Sequence, residues 1–132
     1  IAPAIMAAMH FDVPCLFAKK AKPSTLKKGV YQAEIHSFTK NTTSTVVVSD
    51  EFLGENDRVL IIDDFLANGD ASLGLNEIVK QAKATTVGIG IVVEKSFQPG
   101  RERLEEAGLT VSSLCKVASL SGNKVTFVGD EA

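Results

Sequence analysis

The spacing of apolar and polar positions predicts a helix, a strand and a strand hairpin in the first part of the chain. Residues 1–9 are rich in Ala, Met and Ile, and suit a short buried helix with Pro3 in its first turn. The compact apolar run 13–18 predicts a strand that leads into a basic loop. Segments 30–38 and 44–49 are dense in β-branched and aromatic residues, and predict two strands around a mobile polar connection.

The second half of the chain alternates strands with helices. Residues 58–63 contain the uninterrupted run Val-Leu-Ile-Ile, which is typical of a central strand covered on both faces by helices. Residues 72–83 carry apolar side chains at spacings of three and four, as a helix requires. The pattern then predicts a strand at 86–94, a helix at 99–107 and strands at 111–120 and 124–128. This order predicts an α/β fold with a mainly parallel sheet, right-handed crossovers and a ligand at the carboxyl ends of the strands.

Length and composition indicate one domain, over 1–132, and exclude some classes of partner. The chain has 132 residues, 45% of them apolar, and a formal net charge of −2. That charge does not favour a nucleic-acid partner, and no apolar run approaches the roughly 20 residues that cross a bilayer. Cys15 and Cys115 lie in short apolar stretches, so we expect both to be buried structural thiols in a reducing cytoplasm.

The segment 59–71 has the clearest ligand-binding pattern: a buried strand, two acids, a turn of small residues and the start of a helix. Unpaired N–H groups and the dipole at a helix N-terminus favour a bound phosphate. Ala67, Gly69 and Ala71 keep bulk away from such a group. Neighbouring strand residues face opposite ways, so Asp63 and Asp64 have different tasks. Carboxylates beside a phosphate favour a ligand with sugar hydroxyls or hydrated Mg²⁺.

Two acids after a strand can also simply cap the loop and the next helix, and the acids alone do not separate these interpretations. The whole segment resembles the phosphoribosyl diphosphate (PRPP) signature of type I phosphoribosyltransferases. The resemblance implies that Asp63 and Asp64 contact the ribose and that Ala67, Asn68, Gly69, Asp70 and Ala71 hold its 5-phosphate. Most members have Thr at the positions of Asn68 and Ala71, and Ala-Asn-Gly-x-Ala is similar to the xanthine phosphoribosyltransferase branch.

A second candidate stretch, residues 94–101, follows the next buried strand and should emerge beside the phosphate loop. Lys95 can donate to a purine carbonyl oxygen, and Phe97 can stack on the ring. By spacing alone, a solvated lysine at a strand end and a core phenylalanine are the more common interpretation. Residues 89–101 also resemble bacterial xanthine phosphoribosyltransferases, which implies that Lys95 and Phe97 contact the base.

The same resemblance assigns roles to two more segments. A basic cluster, Lys19, Lys20, Lys22, Lys27 and Lys28, reads as a solvated loop from sequence alone. The resemblance implies that Lys19 or Lys20 holds pyrophosphate, and that residues 38–45 form a flexible flap that closes over PRPP and excludes water. His10 and His36 lack metal-ligand spacing, and we expect both to be structural or surface residues.

The resemblance also implies a type I phosphoribosyltransferase-like fold and a reaction. The expected substrates are xanthine and PRPP with Mg²⁺, and the expected assembly is a cytoplasmic homodimer. Alternatives are a PRPP-sensing transcription regulator and the same reaction on hypoxanthine or guanine. In the family, a pyrophosphate loop and a base-covering hood precede the position of Ile1, so we expect this chain alone to turn over poorly.

Overall fold

The computed structural model describes residues 1–21, 28–37 and 40–130. Its helices are α1 (Ala2–Phe11), α2 (Asp70–Gln81) and α3 (Gly100–Glu106), with a short 3-10 turn at Asp50–Phe52. Its strands are β1 (Lys19–Ala21), β2 (Val30–Ser37), β3 (Thr42–Ser49), β4 (Arg58–Leu66), β5 (Thr85–Lys95), β6 (Val111–Ser121) and β7 (Lys124–Phe127). The predicted alternation of strands and helices in the second half is therefore confirmed.

The described strands form a four-stranded sheet, β4-β5-β6-β7, and a three-stranded sheet, β1-β3-β2. In the first, β4 pairs with β5 and β5 with β6 in parallel, while β7 is antiparallel to β6. The prediction of a central position for β4 was wrong for this part of the chain, because β4 has β5 as its one described neighbour. The predicted cover on both faces of β4 is also incomplete, because Leu60 within the apolar run is 40% exposed. A continuous apolar run favours a buried strand but specifies neither its strand neighbours nor the elements that cover it.

Helix α2 joins the two sheets through neighbouring side chains. Val79 belongs to a cluster with Ile89, Ile91 and Leu104, which is the core of the parallel sheet. Ile78 belongs to a second cluster, whose other buried members are Val46, Val48, Leu53 and Ala82. The apolar stripe predicted for this helix is thus confirmed, and it is wide enough to serve two packing surfaces.

The predicted hairpin is confirmed as β2 and β3, paired antiparallel from Val30 opposite Ser49 to Ser37 opposite Thr42. It packs against α2 at a glycine: a Cβ on Gly74 would lie 2.7 Å from Cγ1 of Ile35. Gln81 fixes the same contact, because its Nε2 donates to the carbonyl of Gln32 (2.7 Å) and its Oε1 accepts from the Gln32 amide (3.1 Å).

Burial was predicted wrongly for the first part of the chain. Helix α1 forms as expected but has no buried residue, and Met6 remains 72% exposed. Residues 13–18 form no strand, and Cys15 is exposed, while Cys115 is half-buried. An apolar run becomes a buried strand only where neighbouring strands accept its backbone hydrogen bonds and other elements cover its faces, and the described residues supply no such neighbours here.

Candidate functional site

Two carboxylates lie at the carboxyl end of β4. The strand predicted at 58–63 continues in the structure through both acids to Leu66, so the turn itself is only residues 67–69. Asp63 is half-buried and Asp64 is exposed, in line with the opposite orientations expected on a strand. The Asp63 carboxylate accepts the N–H of Asp64 (2.9 Å), and that of Asp64 accepts the N–H of Phe65 (2.8 Å).

The environment of Asp63 alters its acidity. Burial raises the pKa of its carboxyl from 3.8 to about 6; the hydrogen bond from the Asp64 amide opposes this change, and the neighbouring Asp64 side chain adds to it. The charged form of Asp63 is therefore poorly compensated in the free protein. A hydroxyl donor or a cation at this position would stabilise it.

The turn that follows β4 leaves the N-terminus of α2 without a side-chain cap. Gly69 is the N-cap, with a φ of 84° that favours glycine. The first intrahelical donor is Leu73, whose N–H lies 2.9 Å from the carbonyl of Gly69. The amides of Asp70, Ala71 and Ser72 come before that donor, so helix geometry gives them no intrahelical partner. Together with the dipole of the 12-residue helix, they make a suitable anion site.

The start of α3 packs directly behind this turn. The N–H of Gly100 donates to the carbonyl of Ala67 at 2.9 Å. A Cβ on Gly100 would lie 2.3 Å from that carbonyl oxygen, so a side chain does not fit there. Three residues further, Arg103 donates to the carbonyl of Asn68 and, at 3.0 Å, to the carboxylate of Asp70. The turn is therefore held from behind by backbone and side-chain groups of α3.

The stretch predicted to contact the base, residues 94–101, begins at the same end of the sheet as the phosphate turn. β4 and β5 end side by side, with Leu66 in register with Glu94, so Lys95 emerges next to the phosphate turn, as expected. Phe97 is 48% exposed. Sequence reasoning missed Phe65, which is 54% exposed and lies under Lys95, with Nζ 5.8 Å from the ring centroid. The sequence feature that could have identified Phe65 is an aromatic residue directly after two acids at the end of a strand.

A buried ion pair fixes the strand end just before Lys95. Arg101 donates from Nε and Nη2 to the two carboxylate oxygens of Glu94, at 2.8 and 2.7 Å, and Ser113 also donates to Glu94. The Arg101 guanidinium lowers the pKa of Glu94 from 4.5 to about 2. Because Glu94, Arg101 and Ser113 belong to β5, α3 and β6, the pair joins three elements behind the base-reading stretch.

The remaining predicted residues lie on the three-stranded sheet or outside the described chain. Lys19 and Lys20 are exposed on β1, in register with Val47 and Val46 of β3, rather than in the loop we expected. Lys22, Lys27, Phe38 and Thr39 are outside the described residues. The flap segment begins its strand at Thr42, earlier than expected, and Thr45 is already buried.

Two open clefts adjoin the candidate site, and neither is lined by Asp63 or Asp64. One of about 440 Å³ lies between β2 and α2, and Asp70 and Arg103 line part of it. The other, of about 600 Å³, is lined by Glu94, Arg101 and the acidic face of α3. In the described ranges, no three His, Cys, Asp or Glu side chains converge as metal ligands, and no helix has both the length and the apolar character needed to cross a membrane.

The fold is similar to solved adenine phosphoribosyltransferases. The enzyme from Giardia lamblia, in complex with 9-deazaadenine, superposes with a TM-score of 0.76 over 86% of this chain and 62% of its own, at 23% identity. The enzyme from Rhodothermus marinus gives a TM-score of 0.75 over 88% and 63%, also at 23% identity. The chain thus spans less than two thirds of these solved chains, and at such identity the likeness establishes the type I phosphoribosyltransferase fold alone.

Sequence relatives define the family. No family model matches the chain. The xanthine phosphoribosyltransferase of Staphylococcus epidermidis strain RP62A is 82% identical over 130 residues, which are 98% of this chain and 68% of that protein. Xanthine phosphoribosyltransferase of Staphylococcus aureus strain NCTC 8325 is 80% identical over 131 residues, 99% of this chain and 68% of that protein. The chain belongs to the xanthine phosphoribosyltransferase family.

Proposed function

We propose that the protein transfers the 5-phosphoribosyl group of PRPP to xanthine, giving xanthosine 5-phosphate and pyrophosphate in purine salvage. The observation that supports this best is that three binding features lie together at the carboxyl ends of the parallel strands. The acids of β4, the uncapped N-terminus of α2 and the Lys95 stretch of β5 all meet there. A sugar phosphate and a planar base are the two parts that such a site would bind.

The phosphoribosyl half would lie across the end of β4. The 5-phosphate would accept hydrogen bonds from the turn Ala67–Asn68–Gly69 and from the first amides of α2, at Asp70 and Ala71. Asp63 and Asp64 would accept hydrogen bonds from the ribose hydroxyls. The raised pKa of Asp63 supports this role, because a donor hydroxyl would replace solvation that the carboxylate has lost.

The base would lie over the end of β5. Lys95 would donate to a carbonyl oxygen of xanthine, and an exposed aromatic ring would stack on the purine. Phe97 is the ring assigned from sequence, and its exposure supports that assignment. Phe65 supports it further by placing a second exposed ring against Lys95.

The reaction breaks the bond from ribose C1 to pyrophosphate through an oxocarbenium-like transition state. Catalysis then requires charge neutralisation on the leaving group and a base nitrogen held close to C1. Mg²⁺ would arrive with PRPP and neutralise its diphosphate, and the carboxylate oxygens of Asp63 and Asp64 are of the type that binds hydrated Mg²⁺. Lys19 and Lys20 would supply further positive charge, and closure of residues 38–45 would exclude water.

A cytoplasmic homodimer completes the proposal. Several apolar side chains of α1 remain exposed in the single chain, which supports an assembly that covers them. Light scattering would measure the assembly, and a monomer at micromolar concentration would contradict it.

A product assay tests the proposed reaction. PRPP and Mg²⁺ are mixed with xanthine, hypoxanthine or guanine, using both this chain and a chain as long as the matched relatives. Xanthine should react fastest, and Lys95→Ala should raise the KM for xanthine, whereas Lys124→Ala on exposed β7 should leave it unchanged. Equal rates with hypoxanthine would contradict the base preference, and an unaffected Lys95→Ala variant would contradict the residue assignment.

The same assay addresses the regulator alternative. A PRPP-sensing regulator would bind PRPP without forming nucleotide from any purine. The transferase names of the sequence relatives favour the enzyme.

A further inference from the structure

Arg103 connects α3 to the proposed phosphate turn through two contacts. Its Nη1 donates to the carbonyl of Asn68 and to Oδ1 of Asp70, the latter at 3.0 Å. The side chain of Asp70 is 20% exposed and that of Arg103 is 38% exposed, so the pair lies partly inside the protein. Asp70 is also the one acid in the first turn of α2, the same turn whose amides would hold the 5-phosphate.

An acid at this position conflicts with an anion site. An unpaired carboxylate in the first turn of α2 would repel a phosphoryl group bound to the neighbouring amides. Arg103 removes that conflict, because its guanidinium neutralises Asp70 from the α3 side. By accepting an N–H of Arg103, the Asn68 carbonyl is also held on that side, away from the amides that would face the ligand.

α3 is attached to the turn by more than this side chain. The Gly100 N–H donates to the carbonyl of Ala67. Gly69 also lies close to Gly100, because a Cβ added to Gly69 would be only 3.2 Å from the carbonyl oxygen of Gly100. Only four residues separate Gly100 from Lys95. The position of Arg103 is therefore set by the same short segment that carries the proposed base contacts.

We propose that Arg103 is a positioning residue for PRPP, which neutralises Asp70 and holds the phosphate turn in its binding conformation. This inference rests on the proposed function and adds a residue to it. Arg103 does not itself contact the ligand; it acts through Asp70 and Asn68. Its loss should weaken the binding of the phosphoribosyl group and leave the recognition of the base unchanged.

The test compares four variants with the wild type, each made in a chain as long as the matched relatives: Arg103→Gln, Arg103→Lys, Asp70→Asn and the double variant Arg103→Gln/Asp70→Asn. Calorimetric titration with PRPP and Mg²⁺ gives the Kd, and initial rates give the KM for each substrate. Arg103→Gln should weaken PRPP binding roughly tenfold, because an uncompensated charge then lies beside the phosphate. Arg103→Lys keeps the charge and should lose less, and Asp70→Asn should restore most of the affinity in the Arg103→Gln background.

Three controls separate positioning from general damage. Arg58→Gln removes an exposed arginine at the opposite end of β4 and should leave the Kd unchanged. Thermal denaturation of each variant reports folding, and the KM for xanthine at saturating PRPP should stay within about twofold of the wild type.

The outcomes are distinct. Recovery of PRPP affinity on adding Asp70→Asn supports the proposal, since a purely structural loss would not be corrected by removing a second contact. Equal PRPP affinity in wild type and Arg103→Gln, or no recovery in the double variant, would overturn it. A wild-type protein that fails to bind PRPP would instead refute the proposed function.

Discussion

Replacing Arg101 by Gln should destabilise the fold, because it removes the counter-charge of a buried carboxylate. The Glu94 side chain is only 3% exposed, and Arg101, 27% exposed, contacts both of its oxygens. In Arg101→Gln, Ser113 remains as a donor, but the buried carboxylate loses its counter-charge. Removing one partner of such a buried pair typically costs roughly 3–5 kcal/mol.

The pKa of Glu94 gives a second measure of the same interaction. Arg101 holds the Glu94 pKa at about 2, against an ordinary value of 4.5. Because one pKa unit corresponds to about 1.4 kcal/mol, the ionised Glu94 with all its contacts, of which Arg101 is the largest, contributes about 3 kcal/mol to the free energy of unfolding at neutral pH. The folded-state pKa lies below the unfolded one, so this contribution is complete above pH 4.5 and is lost as the pH falls towards 2.

Urea denaturation of both proteins at a series of pH values measures the difference. It should be about 3 kcal/mol near pH 7 and should shrink between pH 4.5 and 2. Glu105→Gln is the matched control, since Glu105 contacts the same guanidinium at 3.0 Å but is 55% exposed. An exposed pair of that kind is worth roughly 0.2–1 kcal/mol. Equal losses in the two variants, or a loss independent of pH, would refute the reasoning.

Three other substitutions test the packing and charge of the site. Gly100→Ala should lower both the melting temperature and PRPP affinity, because its Cβ would lie 2.3 Å from the Ala67 carbonyl oxygen; unchanged affinity in calorimetric titration would argue against coupling between α3 and the turn. Gly74→Ala should cost about 1–3 kcal/mol through overlap with Ile35. In a double-mutant cycle by urea denaturation, Ile35→Ala should then cost less in the Gly74→Ala background than in the wild type, and strictly additive losses would contradict that contact. Asp63→Asn should stabilise the free protein above pH 6 and make no difference below pH 3.8, since the raised pKa penalises the ionised form; thermal denaturation at both pH values checks this, and a gain at low pH would count against it.

Most secondary structure after Val30 followed from local pattern. The hairpin and the helix with its stripe of Ile78 and Val79 have a periodicity that matches their burial. The strands of the parallel sheet follow their apolar runs, but Leu60 and Leu114 in those runs are 40% and 86% exposed. The segment before β1 did not follow its pattern. Its apolar residues predicted burial, but burial depends on what other parts of the molecule provide to cover them, and residues 13–18 have no described strand beside them.

The motifs of the candidate site were predictable from the sequence, but the residues that hold those motifs in place were not. The acids Asp63 and Asp64 and the turn at Gly69 could be found because their chemistry lies in consecutive residues. Phe65 and Arg103 were missed, since each acquires a role from a partner distant in sequence: Lys95 for Phe65, and Asn68 with Asp70 for Arg103.

The sequence by itself determined the order of strands and helices, the small-residue turn after two acids and the family resemblance. Only the tertiary structure decided that α3 closes the back of that turn, that Asp70 is neutralised and that Glu94 is buried in an ion pair. The physical reason is range: strand and helix patterns arise from neighbours within a few residues, whereas the partners of a buried or paired charge are selected by chain packing, across 33 residues for Arg103 and Asp70.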